Sequence, residues 1–233
     1  MKRMIKALIF DADGPLYYRT EKVALKLKSL LAVFGYHGDM RKFKQAYEIE
    51  KFKAYVRAES EAAMDHNILQ SIGVQTSPAE AKRFAKEFDA IQRQITATAD
   101  AVAVLRQLKT EGYKICVLTD SFYASKEKWQ WFSALGMDAY IDHIVSSYDI
   151  RKLKDTPEAY QASLDALDVS ANEAVFVGHQ QYEMTGAHAA NVASIAVLPI
   201  ATPTIQADYA VNSLSQLPRL LKQINEPVKW LSS

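Results

Sequence analysis

The chain has one cysteine, Cys116, among 233 residues, so it can form no intramolecular disulfide, and a reducing, cytoplasmic compartment is the expectation. Long apolar runs are missing as well. The N-terminus, MKRMIKALIFDADG, starts basic, but only Ala7 to Phe10 are consecutively apolar before Asp11 interrupts, too short for the hydrophobic region of a signal peptide. No later run approaches the ~20 residues of a membrane-spanning helix, so no membrane association is expected. An excess of one charge is also lacking. Twenty-eight Lys and Arg against 27 Asp and Glu leave a formal net charge of +1, which provides no global field for nucleic acid or anionic lipid. Any charged ligand has to be held by local groups. Internal repeats and low-complexity segments are absent too.

What is present is ordinary globular composition, 49% hydrophobic and 24% charged, which excludes disorder as the overall state. At roughly 150 residues per domain the length suggests a main domain with a smaller accessory one. Short apolar runs, Ile5 to Phe10, Tyr113 to Leu118, Ile141 to Val145, Ala174 to Val177 and Ser194 to Leu198, alternate with helix-like stretches. Each is too short for a helix and apolar on successive residues, as expected of parallel strands covered on both faces. Asp100 is placed to cap a helix from Ala101 to Glu111 that Gly112 stops, and Pro157 opens another running to about Leu167. The pattern predicts a doubly wound α/β fold.

Residues 18–96 break that rhythm. Val23, Leu27, Leu30, Leu31 and Phe34 recur at helical spacing up to Gly35, and Ser77-Pro78-Ala79-Glu80 forms a capping box ahead of Phe84, Phe88 and Ile91. An all-helical block is thus inserted after the first strand, giving a core of residues 1–17 and 97–233 and a nested helical domain of residues 18–96. The basic stretch Arg41 to Arg57, interleaved with Phe43, Tyr47, Phe52 and Tyr55, reads as a solvated helix face with buried aromatics in preference to a functional patch.

In open α/β sheets ligands bind beyond the carboxyl ends of the strands. Those ends are polar here: Asp11-Ala12-Asp13-Gly14 after the first strand, Thr119-Asp120-Ser121 after the second, Gly178-His179 with Glu183 after the fourth, and Lys154 ahead of the Pro157 helix. Taken in order, these segments resemble the four motifs of the haloacid dehalogenase (HAD) superfamily of hydrolases. The resemblance extends over Ala101 to Ser121, Lys154 to Tyr160, Val177 to Ala190 and Ala207 to Leu217, and the helical insert falls where that family carries a helical cap. It implies a Rossmann-like parallel sheet with an inserted α-helical cap domain.

It also implies roles. Asp11 would attack phosphorus and form an aspartyl-phosphate, and Asp13, two residues on in extended backbone, would protonate the leaving oxygen and then activate water. Thr119 and Asp120 would stand at the phosphate, and Lys154 would offset its charge. By themselves, Asp-x-Asp-Gly also reads as a turn, Thr119 as a strand end and Lys154 as a surface lysine. Asp11, Asp13, His179 and Glu183 form the metal set that the resemblance implies, but His179 stands where the family places an aspartate. Mg²⁺ prefers oxygen, so the expectation is a weakened Mg²⁺ site, one that takes Mn²⁺ or another divalent ion, or none. Pro15 is a second departure.

Three functions follow: a phosphatase of a small phosphorylated metabolite, which is favoured; an impaired relative that binds phosphate or a partner; and a 2-haloacid dehalogenase, in which Asp13 has no evident task. Within the insert His37, His66, Tyr17, Tyr18, Arg41 and Arg57 could meet a ligand, although each also reads as structural or solvated.

Overall fold

The computed structural model describes residues 4–198 and 205–226; Lys2 and Arg3 of the basic N-terminus lie outside them. In chain order the elements are β1 (Ala7–Phe10), β2 (Tyr17–Tyr18), α1 (Glu21–Val33), α2 (Met40–Tyr55), α3 (Glu61–Ser71), α4 (Pro78–Gln92), β3 (Thr96–Ala97), α5 (Ala101–Thr110) and β4 (Lys114–Thr119). There follow α6 (Ser125–Ala134), β5 (His143–Ser146), α7 (Ser147–Ile150), α8 (Pro157–Leu167), β6 (Ala174–Gly178), α9 (Gln181–Ala189), β7 (Ala193–Val197), β8 (Tyr209–Val211) and α10 (Leu217–Asn225).

Six strands form one sheet in the order β5-β4-β1-β6-β7-β8, and every neighbouring pair is parallel. The chain runs from β1 outward through β4 and β5, then returns to the other side of β1 at β6. That reversal opens the crevice at the carboxyl end of β1, between β4 and β6, where open α/β sheets bind ligands. Alternation along each strand builds two cores. Leu8, Phe10, Val117 and Val177 face Leu105 and Leu108 of α5 and Leu221 of α10. Ile9, Cys116, Leu118 and Phe176 face Tyr160 and Leu164 of α8 and Met184 of α9. Each such large side chain fully removed from water contributes roughly 1.5–3 kcal/mol. The Cys116 thiol is pushed up to about 12 by burial, which leaves it an inert packing group.

Helices α1 to α4 lie between β2 and β3, and those two short strands pair antiparallel, so the chain leaves and re-enters the α/β part side by side. The helices close over an aromatic cluster in which Phe84 meets Phe34 edge-on at 5.3 Å and stacks on Phe88 at 5.5 Å. The capping box of Ser77 and Glu80 forms as the sequence indicates. Asp100 does not cap α5 with its side chain: it takes a left-handed conformation, φ 67°, and makes no capping bond. Strand boundaries move by one or two residues; β5 starts at His143, with Ile141 buried just ahead of it at the end of a short turn of helix. Among the described residues no helix is long and apolar enough to cross a membrane.

Candidate active site

The amide of Asp11 donates to Val177 O across 2.9 Å, so the ladder between β1 and β6 continues one step beyond the strand and fixes the first carboxylate. Asp11 is 3% exposed. Lys154, buried in the loop before α8, places Nζ 2.5 Å from Asp11 Oδ1 and 2.6 Å from Glu183 Oε1. Its backbone is held from two sides. Lys154 N donates to Asp120 Oδ1 at 3.2 Å, and the buried Tyr160 hydroxyl lies 3.0 Å from Lys154 O and 2.5 Å from Glu183 O. Gly186 lets α9 approach this loop, since a Cβ there would stand 2.0 Å from Lys154 O.

Glu183 has the preceding turn as its second partner. His179 N and Gln180 N both donate to Oε2 at 3.0 Å, so the carboxylate closes the N-terminus of α9 while its other oxygen meets Lys154. The buried His179 Nδ1 faces Asp11 Oδ2 across 3.2 Å. Burial works to raise the Asp11 carboxyl, yet the charges of Lys154 and His179 outweigh it and hold the group below its ordinary range. His179 moves upward against its own burial, because the Asp11 carboxylate favours the imidazolium.

Asp13 lies on the same cavity with its side chain 54% exposed, and it pairs with Arg19, whose Nε donates to Gln92 O at 2.9 Å. From Ala12 to Tyr17, around Asp13, the chain turns tightly. Leu16 N and Tyr17 N both donate to Ala12 O at 3.1 Å, and Gly14 at φ 104° supplies the left-handed step with Pro15 inside the loop. Asp11, Asp13, Thr119, Asp120, Lys154, His179 and Glu183 all line one cavity of about 450 Å³. Tyr47, Phe52 and Tyr55 of α2 form its far wall.

The family model for haloacid dehalogenase-like hydrolases matches residues 8–197. The chain belongs to that family. It is 28% identical over 126 residues to the pyrophosphatase PpaX of Bacillus mycoides, 52% of this chain and 58% of that protein. It is also 28% identical over 140 residues to the (S)-2-haloacid dehalogenase 4A of Burkholderia cepacia, 58% of this chain and 59% of the relative. The matched segment thus spans less than two thirds of these relatives. Among solved structures, the L-2-haloacid dehalogenase of Xanthobacter autotrophicus with chloropropionic acid covalently bound superposes with a TM-score of 0.72 at 19% identity, covering 94% of this chain and 99% of that one. A predicted phosphoglycolate phosphatase of Haemophilus somnus does so at 0.71 and 17%, covering 93% and 98%. At these identities the structures establish a shared fold.

Phosphatases of the HAD family hold a divalent metal, and Asp11, His179 and Glu183 offer donor atoms within 4.8 Å of one another. The set fits Mg²⁺ poorly. Glu183 spends one oxygen on Lys154 and the other on two backbone amides, one oxygen of Asp11 meets Lys154, and the remaining donor is an imidazole nitrogen. The Asp13 side chain, expected in this set, turns to Arg19 instead. Asp120, expected at the phosphate, uses its carboxylate to accept from Lys154 N and from the Tyr182 hydroxyl, both at 3.2 Å. An anionic side chain repels phosphate, so any contribution Asp120 makes to binding has to come from its backbone.

Of the residues named as possible ligand contacts, Tyr17 of β2 reaches the cavity, whereas Arg41 of the insert pairs with Asp39 at 2.6 Å and Arg57 stacks on Tyr148 at 5.0 Å. Sequence reading missed Arg19 and Lys128, which both line the cavity. For Lys128 a signal was available: Trp131 follows at i+3, on the same helix face. Likewise Tyr47, Phe52 and Tyr55, read as aromatics buried behind a solvated face, line the pocket together with Lys51.

Proposed function

We propose that this HAD-like hydrolase is a phosphatase of a small organic phosphomonoester, with Asp11 as nucleophile and Asp13 as proton donor. The observation that carries the reading is the pair of carboxylates two residues apart on one cavity: Asp11 buried and kept ionised by Lys154, Asp13 at the solvent-facing rim. An Asp11 oxygen attacks phosphorus, the ester P–O bond breaks, and Asp13 gives its proton to the departing alcohol. Asp13 then takes a proton from water, which attacks the aspartyl-phosphate and releases inorganic phosphate. Lys154 reduces the repulsion between Asp11 and the incoming dianion, and the Thr119 hydroxyl at the end of β4 is the neutral group placed to meet a phosphate oxygen. Helices α1 to α4 act as the cap over this site. His179 puts imidazole against Asp11 where a cation ligand is expected, so the reading includes a weakened Mg²⁺ requirement, or preference for Mn²⁺ or another ion that accepts nitrogen.

A second reading, displacement of halide from a 2-haloacid, is favoured by one observation: the poor fit of the donor set to Mg²⁺ beside a nucleophile already balanced by Lys154 and His179. The test is product release over a panel of phosphomonoesters and 2-haloacids, with Mg²⁺, Mn²⁺, Co²⁺ or chelator. Phosphate release that depends on Asp11 supports the proposal. Halide release unaffected by chelator supports the second reading, and neither product leaves a family member that binds without turnover.

A further inference from the structure

Lys128 presents a buried ammonium to the cavity with no carboxylate in direct contact among the described residues. It is 3% exposed, donates from Nζ to the Tyr17 hydroxyl across 2.6 Å, and sits 4.0 Å from the centroid of the Trp131 ring. The Tyr17 and Tyr123 rings lie 5.2 and 5.9 Å away. Other cations lining the cavity have carboxylate partners: Lys154 has Asp11 and Glu183, Arg19 has Asp13, and Lys51 has Glu48 at 2.5 Å. Among the described residues no carboxylate reaches Lys128 within 4.0 Å.

An ammonium taken out of water needs compensation, and aromatic faces supply only part of it. It carries three N–H donors, of which the Tyr17 hydroxyl accepts one. What would complete this cage is an anion in the cavity, which Asp11 and Lys154 also line. A single point charge beside one hydroxyl suits a carboxylate better than a second phosphate, whose several oxygens call for a fork of donors.

We propose that Lys128 is the subsite for a carboxylate on the substrate, so that the substrate class is small carboxylic acids carrying the reacting group a short distance from the carboxylate. The inference rests on Asp11 being the reacting residue, and it applies to a phosphorylated hydroxy acid and to a 2-haloacid alike. Burial pushes Lys128 down to about 7, so below that pH the ammonium is present to receive the anion and above it binding must first take up a proton. The charged groups facing it are Arg19, Asp13, Asp11 and Lys154, and burial keeps the Tyr17 hydroxyl protonated.

The test is calorimetric binding of two probes, phosphonoacetate, which carries both groups, and ethylphosphonate, which lacks the carboxylate. Wild type should favour phosphonoacetate by about 10- to 100-fold, the range of a buried charge-assisted hydrogen bond. Lys128→Met, which fills the cage at similar length, should lose most of that preference. The ratio of the two affinities should fall above about pH 7 in wild type and stay flat in the variant, a change that a merely structural lysine would not produce. Should the variant fail to fold, the wild-type pH dependence of the ratio decides. An equal preference in both proteins, or a wild-type ratio near one or independent of pH, overturns the proposal. If wild type binds neither phosphonate, the phosphatase reading fails separately and propionate becomes the probe. Propionate binding that Lys128→Met abolishes then supports the subsite, and equal binding or none in wild type overturns it.

Discussion

Gly14 and His179 touch so closely that a Cβ added to Gly14 would lie 2.8 Å from His179 Cε1 and 2.9 Å from Nε2. The glycine thus serves two ends, a left-handed turn at φ 104° and the seat of the imidazole against Asp11. Gly14→Ala should cost about 1–3 kcal/mol in chemical denaturation, from backbone strain together with displacement of the ring. It should also loosen the contact between His179 and Asp11, visible as a downward shift of the His179 imidazole in an NMR titration. An unchanged titration would mean that the ring does not depend on Gly14 for its place.

Asp11→Asn should lower turnover by at least about 10³-fold, because a neutral amide forms no acyl-phosphate. Asp13→Asn should retain ligand binding while losing roughly 10²–10⁴ in rate, the usual contribution of a positioned proton donor. Steady-state assays with the best substrate of the panel check both. Wild-type turnover in Asp11→Asn would remove it as the nucleophile.

Asp120 gives a stability prediction with a definite sign. Burial, opposed in part by Lys154, raises its carboxyl from 3.8 to about 6, so its ionised form is less favourable in the folded protein than in the unfolded chain. The contribution of a raised group is fully present below the unfolded value and is lost as pH rises through the folded one. Asp120→Asn keeps an acceptor for Lys154 N, and should therefore stabilise the protein at pH 7.5 by about 1–2 kcal/mol, discounted for partial exposure at the cavity wall. The gain should shrink between about pH 6 and pH 4. Denaturant melts of the two proteins at pH 4.5 and 7.5 provide the check, and a gain independent of pH would assign it to packing.

The α/β part was legible because its strands are buried on both faces, so those that lead to the site appear as short apolar runs that stop abruptly at a polar residue on the cavity. Asp11, Thr119 and His179 were found that way. Lys154 and Glu183 could be named but their mutual contact could not, since it depends on Tyr160 and Gly186 bringing α8 and α9 together. Lys128 and Arg19 stayed hidden for a similar reason. A lysine in Ser125-Lys126-Glu127-Lys128 looks solvated until Tyr17, more than a hundred residues away in the chain, is packed against it. Of the α2 aromatics read as buried, Phe43 is buried, whereas Tyr47, Phe52 and Tyr55 are partly exposed on the cavity, because a helix whose apolar side faces a cavity has the same periodicity as one whose apolar side faces a core.

The cation site provides the last prediction. In wild type, Lys154 bridges Asp11 and Glu183 at 2.5 and 2.6 Å, while the imidazole of His179 occupies the space beside the second Asp11 oxygen. Binding Mg²⁺ there requires a hard ion to accept a nitrogen ligand and to compete with two positive groups for two carboxylates, which is unfavourable on both counts. Titration of wild type with Mg²⁺ should therefore give little heat and no rise in Tm, whereas Mn²⁺, which tolerates nitrogen, should do better. His179→Asp removes the nearby cation and adds an oxygen donor, so Mg²⁺ should then bind measurably, and by linkage it should raise Tm, by about 2.7 kcal/mol of stability when the ion is present at a hundred times its Kd. The same substitution deprives Asp11 of a positive neighbour, so without metal the variant should melt lower than wild type. Strong Mg²⁺ binding by wild type, unchanged in His179→Asp, would show that Asp11 and Glu183 hold the ion by themselves and that the imidazole is incidental to the site.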